Sequence, residues 1–177
     1  MTGLNPTTDR ILSLSCYITD AHLNLLDQTG YHAIISTPEP VLEAMDEWCT
    51  TTHTATGLYA ACQGPTAIPA EKAAQQCLAY IQRYVPQPRI ALLAGNSVHA
   101  DKMFLMREPW TPVVEYLHYR ILDISAIKEA ARRWCDESVL RDVPIKKAVH
   151  SADEDVKESL EEARYYMGLF RRLGTST

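Results

Sequence analysis

No apolar run in the chain approaches the length of a bilayer span; the longest in its middle, Ile90 to Ala94, excludes a helical membrane protein. Neither does basic charge dominate. Seventeen Lys and Arg against 22 Asp and Glu give a net charge of −5, so no basic surface announces a long nucleic-acid partner. The first twenty residues have Asp9, Arg10 and several hydroxyls in place of a continuous apolar stretch, and read neither as a secretory signal nor as an Arg-rich transit peptide. The five cysteines, Cys16, Cys49, Cys62, Cys77 and Cys135, include no C-x-x-C pair, and an odd count cannot close a complete disulfide framework. A reducing compartment is the default, with the cysteines acting mostly as small buried hydrophobes. Internal repeats and low-complexity tracts are lacking too. What remains is 177 residues, 46% hydrophobic and 22% charged, which is the balance of one ordinary globular domain.

Alternation from Ile11 to Ile18 predicts a strand, and Asp20-Ala21-His22 a turn into a second strand at Leu23 to Gln28, most simply as a hairpin. Thr37-Pro38-Glu39-Pro40 opens a helix carrying Val41, Leu42, Met45, Trp48 and Cys49, which the hydroxyls of Thr50 to Thr56 end. Pro69 starts another, with Ala73, Cys77, Leu78, Ile81 and Val85 on one stripe, stopped by Pro86 and Pro88. Ile90 to Ala94 suits a strand covered on both faces, and His118 to Ile124 a further strand. Ser125 can cap a helix through Ile127, Ala130, Ala131 and Trp134. Asp136 to Val149 reads as an irregular connection, and a last helix starts near Ser151 with Val156, Leu160, Ala163, Met167 and Phe170 at helical spacing. The layering is mixed α/β. A single domain is expected over residues 1–173, with a frayed tail at 174–177.

Three strings have chemistry to offer, and each has a plain structural reading beside it. In His150-Ser151-Ala152-Asp153-Glu154-Asp155, Ser151 and Glu154 form a capping box and the acids complement a helix dipole. Alternatively His150 is a general base and Asp155 a metal ligand, roles that suit phosphodiester hydrolysis. Gly95-Asn96-Ser97-x-x-x-Asp101 is loop punctuation and a first helical turn, yet it follows a buried strand, where ligands gather in open α/β sheets. His118-Tyr119-Arg120 with Asp123 and Ser125 is a strand with polar ends.

Jointly, these strings resemble the oligoribonucleases, the small-substrate branch of the DEDD-type 3′→5′ exonucleases with a ribonuclease-H-like fold. The matching strings are Met1-Thr2-Gly3-Leu4, Trp48-Cys49, His53-Thr54-Ala55-Thr56-Gly57-Leu58, Gly95-Asn96-Ser97 with Asp101, His118-Tyr119-Arg120 with Leu122-Asp123-Ile124-Ser125, Lys128-Glu129, Arg133-Trp134, and His150-x-Ala152-x-x-Asp155. They run in family order along nearly the whole chain. The resemblance implies a mixed sheet flanked by helices and hydrolysis of dinucleotides and short RNA oligonucleotides with two Mg²⁺ or Mn²⁺ ions. Asp101 and Asp155 match two of the family's four metal-binding carboxylates, and His150 its general base. Tyr119 would complete a partner subunit's active site, implying a homodimer. Ser97, with Arg120 and Ser125 from that partner, would hold a 5′ phosphate, Leu4 and Trp48 would bracket the bases, and His53 would line the same pocket. Plainer readings stay open: a core tryptophan for Trp48, loop contact for Leu4, helix caps for Ser97 and Ser125, a solvated turn for His53. The family works in bacterial cytoplasm and in eukaryotic mitochondria and cytoplasm, so a mitochondrial or cytoplasmic setting is implied.

The family pattern has Asp-x-Glu on a central first strand directly before Met-Thr-Gly-Leu, whereas the sequence here opens at Met1. The expectation is an incomplete chain, or else a truncated non-catalytic protein that binds dinucleotides or serves as a dimer partner. The 177 residues as written would have little activity. A missing central strand would also leave two inner sheet edges, at roughly 1–3 kcal/mol for each buried donor without a partner.

Overall fold

The computed structural model describes residues 1–145 and 151–174. It is a mixed α/β arrangement in which small sheets are flanked by helices, as expected for a ribonuclease-H-like exonuclease domain. Strand β1 (Ser13–Cys16) pairs antiparallel with β2 (Tyr31–Ile34), Ser13 facing Ile34 and Cys16 facing Tyr31. The expected partner, Leu23 to Gln28, contributes only a single bridge from Leu25 to Thr19. Two aspartates cause the difference. The Asp20 carboxylate accepts the backbone N–H groups of His22 and Asn24, with Leu23 at φ 62°, and Asp27 accepts those of Thr29 and Gly30. These local turns compete with ladder pairing, and Gly30 at φ 72° then launches β2.

The single helix expected from Pro38 is two, α1 (Glu39–Glu43) and α2 (Glu47–Ala55). Asp46 lies between them with extended backbone, and its Oδ1 accepts the Cys49 N–H at 2.7 Å. That cap restarts the helix, so Thr50 to Thr54 lie inside it instead of ending it. A short α3 (Leu58–Cys62) follows, then α4 (Ala70–Tyr84), which buries Ala73, Cys77 and Ile81 as its stripe predicts.

Regular pairing in β3 begins only at Leu93 (Leu93–Gly95), and Ile90 and Leu92 are exposed, so the two-face burial expected of Ile90 to Ala94 does not occur. Arg89, at φ 66°, donates its N–H to the Tyr116 carbonyl and His118 donates to Ala91, which holds this stretch in irregular contact. Strand β3 pairs parallel with β4 (Ile121–Asp123), and the crossover contains α5 (Val98–Leu105) and α6 (Thr111–Tyr116). Helix α7 (Ile124–Trp134) leads to α8 (Glu137–Arg141), a helical turn inside the segment expected to be irregular, and the last described element is α9 (Ala152–Gly174).

Among the described residues the strands form two separate pairs, β1 with β2 and β3 with β4, instead of one continuous sheet. One apolar cluster joins the first pair to α4, α5 and α6 through Ile11, Ile35, Cys77, Ile81, Phe104 and Trp110. A second joins Leu12 to Leu42, Met45, Cys49 and Cys62 under α1 to α3. A third, Ile124, Ala131, Ala163 and Tyr166, seats α9 on α7. The Thr2 N–H donates to the Arg10 carbonyl at 2.9 Å, so residues 1–2 lie beside the approach to β1.

Candidate functional site

Because β3 and β4 are parallel and end in register, with Gly95 opposite Asp123, both chains leave the sheet at the same point. Such carboxyl ends are where open α/β sheets collect ligands. Ser97 turns there at φ 50°, a left-handed conformation uncommon for a non-glycine residue. Its N–H donates to Asp123 Oδ1 and to Ser125 Oγ, both at 3.0 Å, and its hydroxyl lies 3.2 Å from the Ser125 hydroxyl. Ser125, expected to cap α7, instead occupies its first turn; the cap is Asp123, which accepts the Ser125 N–H at 3.0 Å. Its other oxygen accepts from His99 Nδ1 at 3.0 Å. Burial pushes the Asp123 carboxyl up, but the His99 bond and the N–H groups of Ser125, Ser97 and Ala126 outweigh it and hold the group below its ordinary range. The resemblance assigns Ser125 to a partner subunit; in this chain it lies against its own Ser97.

One turn into α5, Asp101 is half-buried. Burial pushes its carboxyl above the usual carboxylate range, with Asp123 adding to the shift and the Met1 amino group and His99 opposing it. Asp155 lies exposed in the first turns of α9, its N–H donating to the Ser151 carbonyl at 2.9 Å. His150 lies outside the described residues. Among the described residues, no three His, Cys, Asp or Glu side chains converge where they could hold an ion.

Tyr119 and Arg120 precede β4 and are both exposed, the guanidinium 5.0 Å from the tyrosine ring, and His118 stacks on that same Tyr119 ring with centroids 4.5 Å apart. Lys102 Nζ donates to the Tyr119 carbonyl at 2.7 Å. Trp48 is 61% exposed, so it is no core tryptophan, and Leu4 is 83% exposed. His53 is not on a solvated turn. It is buried in α2, with Nε2 2.9 Å from the Met1 carbonyl oxygen, which ties that helix to the segment bearing Leu4.

Sequence reasoning missed Glu162, a carboxylate only 1% exposed on α9. Its Oε2 accepts from Asn96 Nδ2 at 2.9 Å and its Oε1 pairs with Lys128 Nζ at 3.2 Å. The available signal was a charged residue next to Ala163 on the apolar stripe of the last helix. Sequence reasoning also missed the contact of α9 with the first strand pair, where Asp153 accepts from the Tyr17 hydroxyl at 2.5 Å and from Lys157 at 2.7 Å. A cavity of about 660 Å³ opens there, beside Ser15, His32, Leu58, Ile68 and Asp153, and among the described residues none of the sequence-derived site residues lines it.

Residues 1–163 match a family model described as "Exonuclease". An oligoribonuclease of Streptomyces coelicolor is 42% identical over 166 residues, covering 94% of this chain and 80% of the relative. A mitochondrial oligoribonuclease of Saccharomyces cerevisiae is 40% identical over 94% of this chain and 63% of its own length. One from Chromobacterium violaceum is 38% identical over 98% and 92%, respectively.

Proposed function

The chain belongs to the oligoribonuclease family of 3′→5′ exoribonucleases, and from that premise we propose that it acts on dinucleotides and very short RNAs, gripping the substrate by its 5′ phosphate. One observation carries the reading: two serine hydroxyls, Ser97 and Ser125, meet at 3.2 Å at the carboxyl ends of the parallel strands, with Asp101 one helical turn away. Exposed Arg120 follows Tyr119 just before β4 and supplies a planar charge suited to phosphate. Exposed Trp48 offers a stacking face that tolerates any base, with Leu4 as the opposing wedge. His53 supports that pocket from below by anchoring α2. An acidic protein suits a substrate this short, since a phosphate clamp and two base contacts make a long basic groove unnecessary. Tyr119 would reach the active site of a second copy, a role its 62% exposure supports, so the working unit in this proposal is a homodimer.

Divalent ions, Mg²⁺ or Mn²⁺, belong to the proposed reaction because hydrolysis of a phosphodiester by a carboxylate family draws on them to polarise the phosphate. Asp101, Asp155 and His150 are the groups assigned to that chemistry. The lack of a three-ligand cluster among the described residues favours a second reading for the 177-residue polypeptide taken alone, as a dinucleotide binder or dimer partner without turnover. The setting is mitochondrial or cytoplasmic; among the described residues no helix is long and apolar enough to cross a membrane.

The test uses a 5′-labelled RNA pentamer with Mn²⁺ and two proteins: the 177-residue chain, and the same chain with a family-type strand ending in Asp-x-Glu joined ahead of Met1. The extended protein is expected to shorten the RNA one nucleotide at a time from the 3′ end, and the unextended one to bind without shortening it. Internal cuts, or an extended protein without activity, would overturn the assignment; full turnover by the unextended chain would overturn the binding-only reading.

A further inference from the structure

We propose that Glu162 is a positioning residue for the phosphate clamp: its buried carboxylate fixes the Asn96 side chain, which in turn sets the Ser97 and Ser125 hydroxyls to donate outward. This rests on the reading that those serines hold the 5′ phosphate. A carboxylate buried this fully is costly unless it is paired and hydrogen-bonded, and an apolar residue on the α9 stripe would pack against α7 without that cost. Glu162 Oε2 accepts a hydrogen bond from Asn96 in the turn after β3, and Oε1 is paired by charge alone with Lys128 of α7 at 3.2 Å, so the group links three parts of the chain at the strand ends.

The effect on Asn96 is directional. The two ends of an amide have nearly the same shape, but only the NH₂ end can face a carboxylate. Glu162 therefore turns Nδ2 inward, and Oδ1 is left buried without a hydrogen-bond partner among the described residues. The same Nδ2 reaches Ser125 Oγ at 3.4 Å, where the Ser97 N–H already donates at 3.0 Å. The Ser97 hydroxyl also lies within donating reach of that oxygen at 3.2 Å, so three donors compete for its two lone pairs. With that oxygen saturated, the serine pair keeps a hydroxyl proton to donate away from the protein. Ser97 is exposed, so an incoming anion meets a donor, with the Ser97 backbone already held by Asp123. Without the Glu162 charge, Asn96 is free to reverse, its oxygen then faces Ser125, and the serine proton turns inward to meet it.

The experiment measures the affinity of the full 177-residue chain for a 5′-phosphorylated RNA dinucleotide and for its 5′-hydroxyl form, in wild type, Glu162→Ala, Glu162→Gln and Asn96→Ala. The expected result is that Glu162→Ala and Asn96→Ala each lose about tenfold of the preference for the phosphorylated ligand, with affinity for the hydroxyl form unchanged. Glu162→Gln, whose amide oxygen can still accept from Asn96, keeps most of the preference. Asn96→Ala leaves the Glu162 to Lys128 pair in place, so it decides the matter should Glu162→Ala fail to fold. Equal weakening toward both ligands would mean a merely structural role and overturn the proposal, as would an unchanged preference in Asn96→Ala. If wild type itself bound both forms alike, the phosphate reading would fall first and this proposal with it, an outcome visible before any variant is made.

Discussion

Replacing Asp123 by alanine tests the geometry of the strand ends through stability alone. Its carboxylate accepts three hydrogen bonds at 3.0 Å, from the N–H of Ser97, the N–H of Ser125 and His99 Nδ1. Losing the α7 cap costs about 0.5–2 kcal/mol. The partly buried Ser125 N–H then lacks an acceptor, which places the cost toward the upper end of that range. His99 is mostly exposed, so its ion pair contributes only about 0–1 kcal/mol, and water can replace the acceptor for the exposed Ser97 N–H. The sum is about 2–3 kcal/mol, a large share of a typical domain stability of about 5–15 kcal/mol. At about 2–4 °C per kcal/mol for a chain of this size, Tm should fall by roughly 4–12 °C. Calorimetry or urea unfolding reads it directly. Asp123→Asn, which still caps, should lose less than half as much. An alanine variant melting within about 2 °C of wild type, or an asparagine variant as damaged as alanine, would refute the reasoning.

Two further outcomes follow from particular side chains. Trp48→Ala should lower dinucleotide affinity about 5- to 100-fold through lost stacking, while changing stability by only about 0.5 kcal/mol because the ring is exposed; titration beside a thermal melt checks both. The pH dependence of unfolding should separate two aspartates. Asp123 sits lower in the folded protein than its unfolded value of about 3.9, so its contribution is present above that value and is lost as pH falls through the folded one. Asp101 sits higher, so its contribution is present below about pH 3.9 and is lost as pH rises through its raised value. Urea midpoints from pH 3 to 7 should therefore show Asp101→Asn more stable than wild type at neutral pH, and Asp123→Asn with a shallower loss on acidification; opposite signs would contradict the burial and bonding described.

The elements legible in the sequence are those whose apolar spacing decides them. Ala73, Cys77 and Ile81 announce α4, and Ile127 with Ala131 announces α7, because burying one stripe is enough to fix a helix. Illegible were the places where a single aspartate redirects the backbone. Asp20 and Asp27 replace a hairpin strand with two turns, Asp46 splits one helix into two, and Asp123 takes the cap assigned to Ser125. Each offers the backbone a local alternative that periodicity does not register. Of the site, the strings around Ser97, Asp101 and Ser125 could be read directly, since their spacing is local to the ends of two strands. Glu162 could not, because its partner Asn96 is 66 residues away and only the docking of α9 brings them together. The mixed α/β layering was legible, and the two separate strand pairs among the described residues agree with the expectation that a missing central strand leaves two inner edges.

The central claim, that the paired serines at the strand ends grip the phosphate end of a short RNA, is tested most directly by titrating a 5′-phosphorylated dinucleotide into wild type and into Ser97→Ala/Ser125→Ala. Wild type should bind it at least about tenfold more tightly than the double variant, with the 5′-hydroxyl dinucleotide bound equally by both. Equal affinity of the two proteins for the phosphorylated ligand would contradict the claim.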